Sequence, residues 1–500
     1  MAAWFFCFFF LLLIPLVVIF NHQKTQKTKS IHRPPGPPGL PFIGNFHQFD
    51  SAKPHEFLSK LSNKYGPLMS LKLGKVRVLV ISSAKMAKEA LKTHDLTFSG
   101  RPPLIVLQKV SYNGLDIVFA PYGEYWREMK KISLLHLFTM KRVQSFRPIL
   151  DDEVSLLIKE IFDLTSSSQV INLSLMTLNL TSSYICRIAF GKKYDKEDQE
   201  KKRFDHLLQE TQSIHGDFYF SDYLPSLGWI DKVLGKIARL DKNCRNLDLF
   251  YQELIEEHLS SNRPDTMKND ILDLLIQIKE EKISHLDLSW DHIKAVLMNV
   301  FIAGSDTSSA LIVWAMTALM QSPSIMKRVQ AEVRDMVEKK GGKWEEVLQE
   351  LPYLDAVIKE TLRLYPPTPL LLPRETLDYC NIEGFDIEPK TMVFINAWAI
   401  ARDPTNWQNP TQFIPDRFLN SNVDVKGSDF ELIPFGTGRR RCPGISLGLS
   451  TTKVTLAKLL YSFNWELPPG MKAEDIDTDG LPGATMHKRI PLCLLAKKYA

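Results

Sequence analysis

Phe435-Gly436-Thr437-Gly438-Arg439-Arg440-Arg441-Cys442-Pro443-Gly444 decides how this chain is read. It is a basic loop punctuated by glycines, ending in one cysteine and running into a segment of helical period. Gly436, Gly438 and Gly444 carry no Cβ, so the backbone can turn tightly and approach a flat group. The arginines place positive charge beside the sulfur. N–H groups at the start of the following helix add the positive end of its dipole, which predicts a Cys442 thiol of lowered pKa, held as a thiolate metal ligand.

Composition sets the frame around that loop. The 500 residues are 44% hydrophobic and 24% charged, a globular balance with enough length to enclose a cofactor. Lys+Arg 62 against Asp+Glu 57 leaves a net charge of +5. With no basic tract interleaved with aromatics, this excludes nucleic acid as the expected partner. Cys7, Cys186, Cys244, Cys380, Cys442 and Cys493 are scattered without a CxxC pair. That spacing argues against a zinc ribbon or a disulfide framework and for a reducing compartment.

Ala2 to Phe20 is an apolar run of about the ~20 residues that a bilayer-spanning helix needs, and no residue before Lys24 is charged. A cleaved signal peptide would show a basic start and a small-x-small site, and neither is present. Lys24, Lys27, Lys29 and Arg33 follow directly, which places that flank on the cytosolic side. The sequons Asn172-Leu173-Ser174 and Asn179-Leu180-Thr181 are then expected to stay unmodified. Pro34 to Pro41 reads as a stiff spacer. Leu68 to Leu73 and Val76 to Ile81 read as a hairpin around Gly74-Lys75. Beyond Ser82 the period is helical.

Ser289 to Met320 is the longest helical stretch, stopping near Pro323. A bilayer span of this length would hold Asp306 at its middle, where an acid costs roughly 2.5 to 3.5 kcal/mol, so the segment reads as a buried core helix. Gly304 and the Thr307 hydroxyl can open a local bulge and leave a groove for a small ligand. Glu360 and Arg363 lie three apart on one helix face.

The cysteine loop matches Phe-x-x-Gly-x-Arg-x-Cys-x-Gly at Phe435, Gly438, Arg440, Cys442 and Gly444, and so resembles the haem-binding loop of the cytochrome P-450 family. The resemblance implies haem with Cys442 as its axial iron ligand. Phe435, Gly436 and Gly444 would form the rest of its cradle. Ala303-Gly304-Ser305-Asp306-Thr307 resembles the family's Ala-Gly-x-Asp/Glu-Thr. That match implies Ala303 beside the haem, with Asp306 and Thr307 delivering protons during oxygen activation. Glu360 and Arg363 resemble Glu-x-x-Arg, which implies a buried network with Arg417 that supports the haem-binding core. Trp126-Arg127-Glu128-Met129-Lys130 resembles Trp-x-x-x-Arg, whose members bind a haem propionate, with Lys130 standing where the family has arginine. Arg374 and Arg440 match further cationic partners of the propionates.

The whole chain is similar to plant microsomal A-type members that decorate specialised metabolites. The implied fold is mainly α, a helical triangular prism with a small β subdomain near the N-terminus, preceded by one transmembrane helix. Residues 1–22 would be the anchor, 23–41 a basic, proline-rich hinge and 42–500 the catalytic domain, facing the cytosol from the endoplasmic reticulum membrane. No Gly-x-Gly-x-x-Gly fingerprint is present, so electrons are expected from NADPH–cytochrome reductase, docked on a basic face around Lys130, Lys131, Arg439 and Arg441. The substrates would be O2 and a small neutral lipophilic molecule, a terpenoid, alkaloid or phenylpropanoid. It would be contacted near Pro102 to Phe119, Phe218 to Leu224, Leu297 to Thr307, Pro367 to Leu372 and Pro482 to Met486. An aldoxime-metabolising enzyme, a reductase-independent haem-thiolate isomerase or dehydratase and a non-enzymatic haem or sterol binder are the alternatives.

Overall fold

The computed structural model describes residues 31–165, 169–194, 198–260 and 269–499. The anchor, residues 1–22, lies outside them. In chain order the strands are β1 (Leu68–Leu73), β2 (Val76–Ile81), β3 (Ile171–Asn172), β4 (Arg374–Glu375), β5 (Cys380–Ile382), β6 (Phe385–Ile387), β7 (Met392–Ile395), β8 (Phe463–Glu466) and β9 (Cys493–Lys498). The first sheet has the order β1-β2-β7-β4, with β1 and β2 paired antiparallel from Leu68 opposite Ile81 to Leu73 opposite Val76. Met69, Leu71, Val78 and Val80 pack on one face of it. Leu68, Leu79 and Ile81 pack on the other. Both faces are covered near the sheet's centre, so β2 is apolar and buried from Val78 to Ile81, while Lys72 and Arg77 stay exposed at the turn end. A backbone bridge from Gly100 to Glu375 sets the 100–102 turn beside β4.

Pro34 to Asn45 is not a free spacer. Ser70 donates its backbone N–H to the Pro35 carbonyl (2.8 Å) and its hydroxyl to the Pro34 carbonyl (2.7 Å), so the segment covers the open edge of β1. Proline cannot donate from its own nitrogen, but its carbonyl accepts, which suits it to this edge.

The helices that position the site are α1 (Pro54–Tyr65), α2 (Glu124–Ile132), α3 (Leu173–Phe190), α4 (Gln199–His215), α5 (Trp290–Gln321), α6 (Pro323–Lys339), α7 (Pro352–Leu364) and α8 (Ile445–Ser462). The Ser289 hydroxyl caps α5 by accepting the His292 N–H, and the His292 side chain returns the contact. This helix is long and apolar enough to cross a membrane, yet 78% of its apolar window is buried inside the fold. Thr177 of α3 and Ser309 of α5 share a hydroxyl–hydroxyl bond of 3.1 Å. Where α8 passes α5, a Cβ on Gly448 would lie 3.9 Å from the Ser308 hydroxyl. Phe204 and Phe301 meet edge to face at 4.4 Å, seating α4 against α5.

Candidate active site

The cysteine loop closes on itself through the Cys442 N–H, which donates to the Phe435 carbonyl at 3.0 Å. Gly438 is needed by space as well as by backbone angle: at φ +68 its missing Cβ would fall 2.5 Å from an Asp95 carboxylate oxygen. A Cβ on Gly436 would meet nothing nearer than Leu371 Cδ1 at 3.8 Å, so that glycine borders open space. Leu371 itself is held at φ +52, a strained angle that fixes its side chain over the loop.

The Cys442 thiol differs from its expected acidity. Burial pushes its pKa up, and this outweighs the opposing pull of the Gly444 N–H, Lys130 and Arg441. The loop and helix start do favour the thiolate, but desolvation of the sulfur is larger. A bound metal cation would supply the stabilisation that the surroundings lack.

The guanidiniums of buried Arg374 and Arg440 and of half-buried Arg101 crowd together beside this loop. Arg374 is pushed down to about 10, with burial the first cause. Arg440 goes down to about 9, by burial and then by Arg374. Arg101 falls well below its ordinary value through burial, Arg440 and Arg374. They are held by backbone carbonyls: Arg101 by Val118, Leu372 and Pro373, Arg374 by Phe98 and Thr437, and Arg440 by Ser99 and Ala120. Arg440 Nη1 is buried and makes no hydrogen bond. Asp95, which also pairs with Arg439, lies 4.0 Å from Arg374, and Asp116 is the other acid that Arg101 and Arg440 feel, so the positive charges are only partly compensated, a donor set that fits two carboxylates. Arg101 is a residue the motifs did not flag. Its only local signal is a cation between Gly100 and the Pro102-Pro103 pair.

Trp126 and Lys130 sit differently from what the resemblance implies. The Trp126 indole N–H donates to the Ile117 carbonyl at 2.9 Å, and the ring lies under the Arg440 guanidinium at 4.3 Å. It therefore orients Arg440 rather than presenting its own donor. Lys130 donates to the Arg441 carbonyl at 2.6 Å, on the cysteine side of the loop, and burial lowers its pKa to about 8. Being one flexible chain with a point charge, it folds back where a planar arginine would reach on.

Burial along α5 is continuous from Ile293 to Phe301 and again from Ser308 to Met320. Between them Ala303 is exposed, and Ile302, Gly304 and Thr307 are half-buried. The Thr307 hydroxyl donates to the Ala303 carbonyl at 2.7 Å, but the helix stays α through this turn, without the expected bulge. Asp306 is buried, and its Oδ1 lies 2.6 Å from His487 Nε2 on the loop before β9. His487 also went unflagged. Asn299 clamps the 116–120 loop to α5, giving its amide to Asp116 (2.8 Å) and accepting the Ile117 N–H (3.0 Å).

Behind the site, Glu360 and Arg363 are fully buried and joined through two bonds of 2.7 and 2.9 Å. Arg417 Nε and the Ile414 N–H also donate to Glu360. Arg363 ties in the carbonyls of Ala401, Pro410 and Gln412.

A thiol at the mouth of a glycine cradle, a cluster of buried cations and an open patch on a buried helix together define a haem-thiolate protein. The chain belongs to the cytochrome P450 family, whose pattern matches residues 34–494. It is 47% identical to strychnine-11-hydroxylase of Strychnos nux-vomica over 492 residues, 98% of this chain and 96% of that one. It is 46% identical to 5-OH-xanthotoxin synthase of Ammi majus over 491 residues, 96% of each chain. A zebrafish cytochrome P450 solved with progesterone superposes with a TM-score of 0.74 at 25% identity, covering 89% of this chain and 99% of that one. The fold is thus the cytochrome P450 fold, and the protein is a plant A-type monooxygenase whose cofactor is thiolate-ligated haem. Bound haem supplies the oxygen-activating chemistry. Cys442 is the residue that would ligate its iron, and Arg101, Arg374 and Arg440 those that would hold its carboxylates.

Proposed function

We propose that this monooxygenase inserts one atom of O2 into a neutral, lipophilic specialised metabolite of the coumarin or alkaloid kind, drawing electrons from NADPH through NADPH–cytochrome reductase. The single observation that carries the site reading is the open Ala303–Thr307 patch on an otherwise buried α5. It supports a role for Thr307, with its buried neighbour Asp306, in proton delivery, and room for a flat ligand and a substrate. Relatives named for a hydroxylated xanthotoxin and for strychnine hydroxylation support the substrate class. The substrate side is bounded by Leu371 and by the 116–120 loop that Asn299 clamps. The aromatic run at 218–220 is instead used in packing: Phe218 stacks on Tyr223 and meets Phe46 edge to face, and Tyr219 is buried.

We place the protein on the endoplasmic reticulum membrane with the 42–500 domain in the cytosol. Phe42 (77% exposed), Trp229 (60%), Val233 (74%) and Leu234 (60%) support this. The Phe46–Phe218 contact joins the segment that carries Phe42 to the one that leads into Trp229. Such a patch is suited to an apolar boundary. For reductase docking, Arg441 and Lys131 remain exposed on the cysteine side, whereas Arg439 is committed to Asp95 at 2.8 Å.

An optical titration of the microsomal protein tests the substrate class. A blue shift of the haem band with coumarin or alkaloid ligands is expected, the sign of a molecule that packs near the iron without ligating it. A red shift confined to aldoximes, with no response to those ring systems, would move the assignment to oxime metabolism.

A further inference from the structure

We infer that His487 is a positioning residue for Asp306: it anchors one carboxylate oxygen and leaves the other, Oδ2, free beside Thr307 for proton delivery. This rests on the reading of Asp306 as the proton-delivering acid. The two residues come from distant parts of the chain. Asp306 lies at the middle of α5 with its side chain 6% exposed, and His487 lies on the loop before β9 with its side chain 34% exposed. Nε2 and Oδ1 are 2.6 Å apart. Neither Asp306 Oδ2 nor His487 Nδ1 makes a hydrogen bond among the described residues. The imidazole therefore bridges a buried carboxylate and open space.

The loop is built to hold that ring still. The Met486 N–H donates to the Pro367 carbonyl (2.7 Å), the Met486 carbonyl accepts the Trp314 indole N–H (2.8 Å), and the Leu481 N–H donates to the His487 carbonyl (2.7 Å). Trp314 belongs to α5, two turns beyond Asp306, so the same helix that carries the acid fixes its partner. Other charges nearby are few. His215, at the end of α4, feels Asp306 and donates its Nδ1 hydrogen to the Thr211 carbonyl. On the loop itself Lys488 faces Asp477 (3.9 Å) and Arg489 faces Asp479 (3.3 Å). Burial alone would lower the His487 pKa, but the bond to Asp306 outweighs it and the net direction is up. The imidazolium then persists above its ordinary range and keeps the Asp306 side chain aimed.

The test uses the full chain in membranes with reductase, normalised to haem-loaded protein, and reads the fraction of NADPH consumed that appears as product. In the wild type this fraction should fall as pH rises above the ordinary histidine range, through the imidazolium's raised pKa. His487→Ala should lower it about tenfold below the ordinary histidine pKa, with KM unchanged, and should match the wild type once the imidazolium is lost. His487→Lys, which keeps a cation, should restore it and remove the pH dependence. The resting protein gives an independent readout: the gap in thermal midpoint between wild type and His487→Ala should be widest below the ordinary histidine pKa and close above the raised one. A wild-type coupling profile in His487→Ala, a retained pH dependence in His487→Lys, or a midpoint gap that ignores pH would overturn the inference. Asp306→Asn separates the two layers. If it leaves coupling intact, the acid reading fails; if it uncouples while His487→Ala does not, only the role of His487 fails.

Discussion

Arg101, Arg374 and Arg440 raise one another's electrostatic energy in a site that contains too little negative charge. A ligand bearing two carboxylates relieves that energy, so the cluster should weaken folding without haem and strengthen haem retention. Arg101→Met removes one desolvated, charge-assisted contact worth about 1.5 to 3 kcal/mol. Haem transfer to a scavenger protein should accordingly be roughly 10- to 100-fold faster, and an unchanged rate would exclude Arg101 from the cradle. Thr307→Ala should raise NADPH consumption relative to product, because the hydroxyl on the open patch is lost while the helix keeps its other bonds; unaltered coupling would remove Thr307 from proton delivery. Legibility at this scale followed locality. Cys442 and its glycines stand within ten consecutive residues and could be read directly. Arg101 and His487 are single residues whose partners lie far along the chain. The burial that raises the pKa of the free Cys442 thiol is, unlike adjacent charge, invisible in sequence.

Elements show the same division. β1 and β2 occupy the expected residues, since hairpin pairing is local and the run between the strands is a turn. The long helix begins at Trp290 with Ser289 as its cap and runs to Gln321, one residue past the expected end. The proline-rich segment reads as a stiff spacer, but its docking on β1 was not legible because that partner edge lies some thirty residues on. A Cβ on Gly36 would fall 1.9 Å from the Ser70 carbonyl oxygen, which is backbone and cannot swing aside. Gly36→Ala should therefore lift this segment from β1 and expose the 31–45 stretch to limited proteolysis, with wild-type resistance arguing against the docking. Between α7 and the loop carrying Arg417, Glu360 compensates two buried cations. Glu360→Ala strands both, a loss of about 3 to 5 kcal/mol, and should yield protein with little incorporated haem; full haem content would contradict a supporting role for this network.

For the molecule as a whole, the helical core and two of its sheets draw their ends together from across the sequence: β3 pairs with β9, and β2 with β7. The family resemblance implied a helical prism with a small β subdomain near the N-terminus, and composition and period a mainly helical chain with an early hairpin; these long-range pairings join short strands whose partners lie hundreds of residues away and are not legible locally. The proposed membrane placement makes two checks available. Brominated phospholipids should quench the fluorescence of the full chain, and Trp229→Leu should remove part of that quenching; equal quenching would place Trp229 in water. Asn172 and Asn179 should carry no glycan when the protein is made in a eukaryotic cell, and glycan at either would reverse the topology. The central claim is that electrons from a reductase drive transfer of one oxygen atom from O2 to a lipophilic metabolite. Turnover under labelled dioxygen, with NADPH and reductase, tests it most directly. A product bearing one labelled oxygen atom, absent when NADPH or reductase is withheld, is the predicted result; an unlabelled product formed without either would contradict it.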